Sequence, residues 1–288
     1  MVDASSLSVW VGDGLVDPQQ PTIRAYDHGV TVGDGVFETC VVRDGVPFAL
    51  TRHLRRLATS ARGLGLTTPD DGSLRDAVAA VLQDQARRRG EPLAHGRLRI
   101  TVTGGAGPLG SDRGNAVPTL LVLASPVPRP DPSAAVHVVP WVRNERSAVA
   151  GLKTTSYADN VVALAAAHEH GASEALFANT RDELCEGTGS NVVLVIGDEV
   201  VTPPLSSGCL AGITRELLLE WASADAVAVV ERPVALTELA RADELMLTSS
   251  TRDVQPVHRV DDRELTPGPV GRQLTELFRR HAAADLDP

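Results

Sequence analysis

The residue types best suited to chemistry sit in the stretch Gly151-Leu152-Lys153-Thr154-Thr155-Ser156-Tyr157-Ala158-Asp159-Asn160. Lys153 is the only lysine in 288 residues, while the chain holds 27 Lys+Arg in all. Arginine stays protonated and cannot form a Schiff base, whereas a desolvated lysine can lose its proton and attack a carbonyl. A lone lysine after a turn glycine and before a helical pattern is therefore a nucleophile candidate. A leftover surface lysine is the plain alternative.

Three other segments have site-like character. Cys185-Glu186-Gly187-Thr188-Gly189-Ser190-Asn191 sets a carboxylate in a run of glycine, hydroxyl and amide residues, including Ser190 and Asn191, that lets backbone approach a ligand. Gly208-Cys209-Leu210-Ala211-Gly212-Ile213-Thr214-Arg215 is a glycine loop opening a helix, where N–H groups and the Thr214 hydroxyl converge on an anion; an ordinary helix start reads the same way. Thr248-Ser249-Ser250-Thr251 offers four hydroxyls at a strand end, also a common loop composition. An amine, a carboxylate and two anion sites together suit a cofactor with an aldehyde, a ring nitrogen and a phosphate. Pyridoxal 5′-phosphate has that set. No metal-ligand spacing and no Ser-His-Asp arrangement is present, and His168 and His170 do not share a helix face.

The elements that must position these residues are legible from patterning. With 43% hydrophobic and 22% charged residues, the chain has the composition of a globular protein with a full core. A formal charge of -10 and 3% aromatics argue against nucleic acid or an anionic membrane as partner. Three scattered cysteines, no secretory pattern at Met1–Trp10 and no long apolar run predict a cytoplasmic protein. Leu7–Val16 reads as a hairpin, Val36–Val42 as a strand, Thr51–Gly63 as a helix, and Ser73 as the cap of a helix to Arg89. The alternation of Arg97, Arg99, Thr101 and Thr103 with Leu98, Ile100 and Val102 predicts a strand with two unlike faces. Four prolines (Pro126, Pro128, Pro130, Pro132) mark residues 125–134 as a linker between a small domain, 1–124, and a larger one, 135–288. In the second half the pattern predicts a helix marked by Val161, Val162, Leu164, Ala165 and His168 and ending at Gly171, strands at 191–196 and 199–202, a helix at 213–222 and a strand at Ala226–Val230. A short helix capped by Thr237 and a last helix at 270–281 complete the reading. The fold class is α/β (α+β) with two domains.

With these motifs in this order, from Gly33-Asp34-Gly35-Val36-Phe37-Glu38-Thr39 to Pro256-Val257, the chain resembles the class IV aminotransferases, the fold type IV pyridoxal-phosphate enzymes. The resemblance implies a small N-terminal α/β domain, a larger C-terminal one with a pseudo-barrel, and a homodimer whose site lies between the domains. It makes Lys153 the Schiff-base lysine and proton shuttle, and Glu186 the partner of the pyridine nitrogen. It assigns Arg56, Gly212, Ile213, Thr214 and Ser250 or Thr251 to the phosphate, and Leu210 to the ring face. Ser190 and Asn191 join the cofactor set. His28–Val32 and Gly104–Ser111 become substrate-selecting loops.

Specificity follows from departures within the family. Ser156 and Tyr157 at +3 and +4 from Lys153 resemble the D-amino acid and aminodeoxychorismate lyase branches rather than the branched-chain one. The D-amino acid type's carboxylate trap is absent: Phe37 replaces a tyrosine, and Leu109 and Ser111 stand near its arginine and histidine. Arg97 and Arg99 are the replacement candidates, unless they form a solvated strand face; Arg143 and Arg181 come next. The expected activity is amino transfer between an amino acid of D configuration, or an (R)-amine, and a 2-oxo acid. The alternative is 4-amino-4-deoxychorismate lyase; branched-chain L-amino acid transamination is the third reading.

Overall fold

The computed structural model describes residues 6–288. Its backbone separates into two compact units, each with its own core.

The first unit comprises the chain up to Arg129 together with Leu152–Tyr157 and Leu286–Pro288. It contains β1 (Ser8–Val11), β2 (Gly14–Val16), α1 (His28–Thr31), β3 (Gly35–Arg43), β4 (Val46–Pro47), α2 (Leu50–Leu64), α3 (Asp71–Arg89), β5 (His95–Thr103) and β6 (Thr119–Pro126). The strands form one antiparallel sheet in the order β2-β1-β6-β5-β3-β4. Alternation in β5 decides what each face does. Leu98, Ile100 and Val102 are fully buried and pack with Val36, Cys40 and Val42 against Leu54, Leu57 and Ala77 of the two helices. Each such aliphatic side chain contributes about 2 kcal/mol by leaving water. The opposite face of the same two strands carries Phe37, Thr39, Arg97, Arg99 and Thr101.

One charged residue lies on the core face. Glu38, with no exposed surface, forks onto Arg56 through Nε–Oε1 and Nη2–Oε2 contacts of 2.7 Å each, and faces His53 Nδ1 at 2.6 Å. Burial pushes its carboxyl up, and Arg56 and His53 together outweigh that and hold it below the usual range. Burial pushes the His53 imidazole down, with Glu38 opposing. At the start of α2, Ala49 has φ 54° and provides no side-chain cap. Asp287 substitutes, accepting from the Thr51 N–H at 2.8 Å and the Thr51 hydroxyl at 2.6 Å.

The second unit spans Pro130–Gly151 and Ala158–Asp285. It holds β7 (Ala134–Arg143), α4 (Ala158–Glu169), β8 (Glu174–Asn179), β9 (Leu184–Gly187), β10 (Asn191–Ile196), β11 (Glu199–Thr202), α5 (Ile213–Ala224), β12 (Val230–Glu231), β13 (Glu244–Ser249), β14 (Asp253–Val260), β15 (Arg263–Glu264) and α6 (Pro269–Ala284). A nine-stranded sheet runs β12-β11-β10-β13-β14-β7-β8-β9, with β15 on β14. It is a mixed sheet, because β7 pairs parallel to both β8 and β14. α4 packs Ala163 and Ala167 onto Ala135, Val139 and Phe177, and a second cluster gathers Val136, Leu176, Val192, Leu194, Leu245 and Val257.

Several boundaries differ from those read from patterning. Leu152–Tyr157 belongs with the first unit rather than with 135–288, because this segment bonds along β3. The Phe37 N–H donates to the Lys153 carbonyl at 3.0 Å, and the Thr155 N–H to the Gly35 carbonyl at 2.8 Å. The linker is shorter than 125–134, since β6 continues to Pro126 and β7 starts at Ala134. α2 runs past Gly63, which is a close-approach glycine: a Cβ there would sit 2.7 Å from Leu152 Cδ2. Gly65, at φ 70°, ends the helix. Asp70, not Ser73, caps α3, accepting from the Ser73 N–H. Ala226 takes a left-handed φ of 58°, so only Val230–Glu231 pairs as a strand there. The turn at Leu236–Arg241 is a 3-10 helix preceded by Ala235, whose N–H donates to Glu238, so Thr237 is not its cap.

Both Glu38 and His53 bind protons less readily folded than unfolded, so the unfolded state takes up more protons and stability is lost as pH falls. The His53 part is lost below about pH 6.5, and the Glu38 part as pH drops under about 4.3. Glu38→Gln leaves Arg56 buried without its counter-charge and is expected to cost about 3 kcal/mol at neutral pH. That difference from the parent narrows below about pH 4, as read by urea denaturation across pH. Asp287→Ala is expected to cost about 1 kcal/mol in the same assay.

Candidate active site

In the first unit, β3 and β5 present one aromatic ring to two cations. Arg99 Cζ lies 3.7 Å from the Phe37 ring centroid and Lys153 Nζ 4.5 Å from it, both at cation–π distance. Tyr157 meets the same ring edge-on at 5.4 Å. The Lys153 backbone is fixed on both sides: its N–H donates to Ser60 Oγ at 3.1 Å, and its carbonyl accepts from Phe37. Ser156 and Thr155 hydroxyls both donate to the Gly33 carbonyl, which ties this segment to the loop before β3. The half-buried Arg99 donates only from Nε, to Thr101 Oγ1 at 3.3 Å, and no carboxylate among the described residues pairs with it. Burial pushes its guanidinium down, Tyr157 opposes, and Arg97 adds to the effect. Arg97 shares the face but is exposed. Arg56 is present on α2 in the Glu38 fork.

The loops around α1 are a built network. Asp34 forks onto Arg113 with two 2.6 Å contacts, and Arg113 reaches on to the carbonyls of Leu64 and Gly65. His28 is fully buried with Nε2 2.8 Å from the Pro108 carbonyl, so the His28–Val32 and Gly104–Ser111 segments are held to each other.

In the second unit, Glu186 sits on β9 rather than in a loop, because Phe177 of β8 pairs with it. Its Oε2 accepts from the Leu210 N–H at 2.9 Å, and its Oε1 is 3.3 Å from Arg143 Nε. Asn191 clamps the loop before α5: Nδ2 donates to the Leu210 carbonyl at 2.9 Å, and a Cβ on Gly212 would lie 1.9 Å from its Oδ1. Only glycine fits at 212. α5 therefore begins at Ile213 with no side-chain cap, and Ile213 and Thr214 are buried. Ser250 and Thr251 follow β13 and are half-buried, next to Thr248, whose hydroxyl is buried without a partner.

Some expected ligands have other duties. The Ser190 hydroxyl donates to buried Glu174, as does that of Thr188, so Ser190 holds its own loop. Arg181 is not a substrate anchor: Nε and Nη2 go to Glu183, Nη1 goes to Glu145, and Nη2 also reaches the Ser206 carbonyl. Arg143 likewise serves Glu186 and Asn160 while stacking 4.1 Å over Phe177. Sequence reasoning passed over Glu38, His53, Ser60 and Asn160 as site supports. A carboxylate inside the apolar alternation of β3, with His53 and Arg56 three apart on the buried side of α2, was the available signal.

The profile of the Amino-transferase class IV family matches residues 35–260. A Methanocaldococcus jannaschii protein provisionally named a branched-chain-amino-acid aminotransferase is 31% identical over 95% of this chain and 96% of its own. The bifunctional aminodeoxychorismate lyase / D-amino acid transaminase of Mycobacterium tuberculosis is 31% identical over 94% and 97%. The solved fold IV-transaminase of Curtobacterium pusillum superposes with a TM-score of 0.85 at 30% identity, over 97% of this chain and 99% of that one. With its single lysine set against an aromatic ring and a carboxylate fixed on a strand of the second unit, the chain belongs to the class IV aminotransferases, the fold type IV pyridoxal-phosphate enzymes.

Proposed function

We propose that this chain is a pyridoxal-phosphate transaminase that exchanges an amino group between a D-amino acid and a 2-oxo acid such as pyruvate or 2-oxoglutarate. The observation that carries the reading is the placement of the sole lysine against Phe37, beside an arginine that pairs with no carboxylate among the described residues. The cofactor suits the residues present. Asn191 leaves space only for glycine at 212, which keeps the uncapped start of α5 open to an anion, and the Thr248 hydroxyl lacks a partner.

When bound, pyridoxal phosphate supplies an electron-withdrawing ring that stabilises negative charge at the substrate Cα. Lys153 would hold the cofactor through its amine, and its Nζ would move the proton at the substrate Cα. Glu186, oriented by the Leu210 N–H, would hold the ring nitrogen, and Leu210 would give an apolar surface. Arg56, Gly212, Ile213, Thr214, Ser250 and Thr251 take the phosphate. The Glu38 fork holds Arg56 in one rotamer for this purpose. Phe37 and Tyr157 wall the substrate, and Arg99 binds its carboxylate, since a half-buried guanidinium without a carboxylate gains most from an anionic ligand.

The D configuration is supported by the +3 and +4 spacing of Ser156 and Tyr157 after Lys153. Val30, Leu109 and Val117, at 61%, 76% and 78% exposure, give the first unit apolar surface suited to a homodimer partner. Three buried free cysteines suit a reducing cytoplasm. No helix among the described residues is long and apolar enough to cross a membrane.

D-Alanine alone is expected to bleach the visible absorbance of the cofactor-loaded protein, and 2-oxoglutarate to restore it. Bleaching by L-leucine but not D-alanine would move the assignment to the branched-chain branch. Release of 4-aminobenzoate from aminodeoxychorismate, with no response to either amino acid, would move it to the lyase. Lys153→Ala is expected to cut turnover by about ten-thousand-fold. Arg99→Ala is expected to raise KM for the 2-oxo acid by about thirtyfold, with kcat changed by less than about threefold; a fall in kcat alone would remove Arg99 from substrate binding.

A further inference from the structure

Arginine and carboxylate normally meet as a fork, with Nε and a terminal nitrogen each taking one oxygen. Among the described residues this occurs at Arg56–Glu38, Arg113–Asp34 and Arg279–Glu276, with contacts of 2.6 to 2.9 Å. Arg143 and Glu186 do not. Arg143 Nε stands 3.3 Å from Glu186 Oε1 in a geometry that makes no hydrogen bond, and that nitrogen is buried without another partner. The terminal nitrogen that would close the fork, Nη2, donates instead to Asn160 Oδ1. Asn160 is itself 5% exposed, and its Nδ2 donates to the Thr188 carbonyl at 2.7 Å. Thr188 is in turn pinned by Glu174, which accepts from both its N–H, at 2.9 Å, and its hydroxyl. Ser190, and Arg252 at 3.7 Å, complete the surroundings of Glu174.

We propose that Asn160 is a positioning residue that divides Arg143: by holding Nη2, it stops the guanidinium from forking onto Glu186 and so preserves the grip of that carboxylate on a pyridinium nitrogen. This rests on the reading that Glu186 faces the cofactor ring nitrogen. An unforked Arg143 still supplies positive charge 3.3 Å from one Glu186 oxygen, while the Leu210 N–H orients the other. Closing the fork would commit both oxygens to arginine and leave the ring nitrogen a weaker acceptor. Glu174 acts one link further out, fixing the Thr188 carbonyl against which Asn160 is set.

The test uses the full chain freed of cofactor and two probes: pyridoxal phosphate, and its 1-deaza analogue, in which a C–H replaces the ring nitrogen while aldehyde and phosphate remain. Asn160→Leu and Asn160→Ala remove the hold on Nη2; Asn160→Asp keeps an acceptor for it. Whichever of the first two keeps a parent-like melting curve is expected to bind pyridoxal phosphate about tenfold more weakly, with the deaza analogue unchanged within about twofold. Asn160→Asp, which gives up the donation to the Thr188 carbonyl, is expected to keep the parent's ratio of the two affinities. Equal weakening for both probes, or a selective loss in Asn160→Asp matching that in Asn160→Leu, would overturn the proposal, because packing damage makes no distinction at the ring nitrogen. Glu186→Ala is the separate control. If it leaves the ratio of the two affinities at the parent value, the assignment of Glu186 to the ring nitrogen fails, whatever Asn160 does.

Discussion

A carboxylate with no exposed surface stands only where charge and hydrogen bonds meet it, and Glu38 is met by the Arg56 guanidinium and the His53 ring of α2. This buried cluster ties the helix to β3 at one rotamer and one register. Because strand side chains alternate, its neighbour Phe37 points the other way, toward Arg99 and Lys153. Two adjacent residues of one strand therefore do separate work. Glu38 sets the arginine on the helix side, and Phe37 sets the amine on the open side. The Lys153 segment depends on the same strand, since its backbone bonds to Phe37 and Gly35.

The second unit reaches a comparable end with different means. There a carboxylate on β9 is steadied by one backbone N–H and by an arginine that is shared with Asn160. The loop before α5 is shaped by Asn191, which leaves no room for a side chain at 212. In both units the groups suited to chemistry sit on strand ends or a helix start, and residues one layer behind them fix their geometry. That layering distinguishes the groups suited to chemistry from Glu38, Asn160 and Glu174, whose hydrogen bonds hold other side chains and backbone in place.

Much of the fold was legible from local pattern. Strict alternation in β5 identified both its core face and its Arg97–Arg99 face, and the lone lysine marked the chemistry because no other amine side chain competes with it. Boundaries were missed where a tertiary contact overrode local preference. Gly63 looks like a helix stop but is a point of close packing against Leu152, and Ser73 looks like a cap but donates to one. Arg181 and Arg143 looked like available anchors, since a sequence lists cations without listing the carboxylates that occupy them.

By itself the sequence determined the family, the two-part α/β organisation and the single lysine side-chain amine, since these rest on residue type and order along the chain. Tertiary structure alone decided which unit carries Lys153, that Arg99 pairs with no carboxylate among the described residues, and that Asn160 accepts from the Arg143 Nη2. Those are questions of long-range pairing. Glu38 and Arg56 are 18 positions apart and Arg143 and Glu186 further still, and nothing in local periodicity says which charge will meet which until the backbone has folded them together.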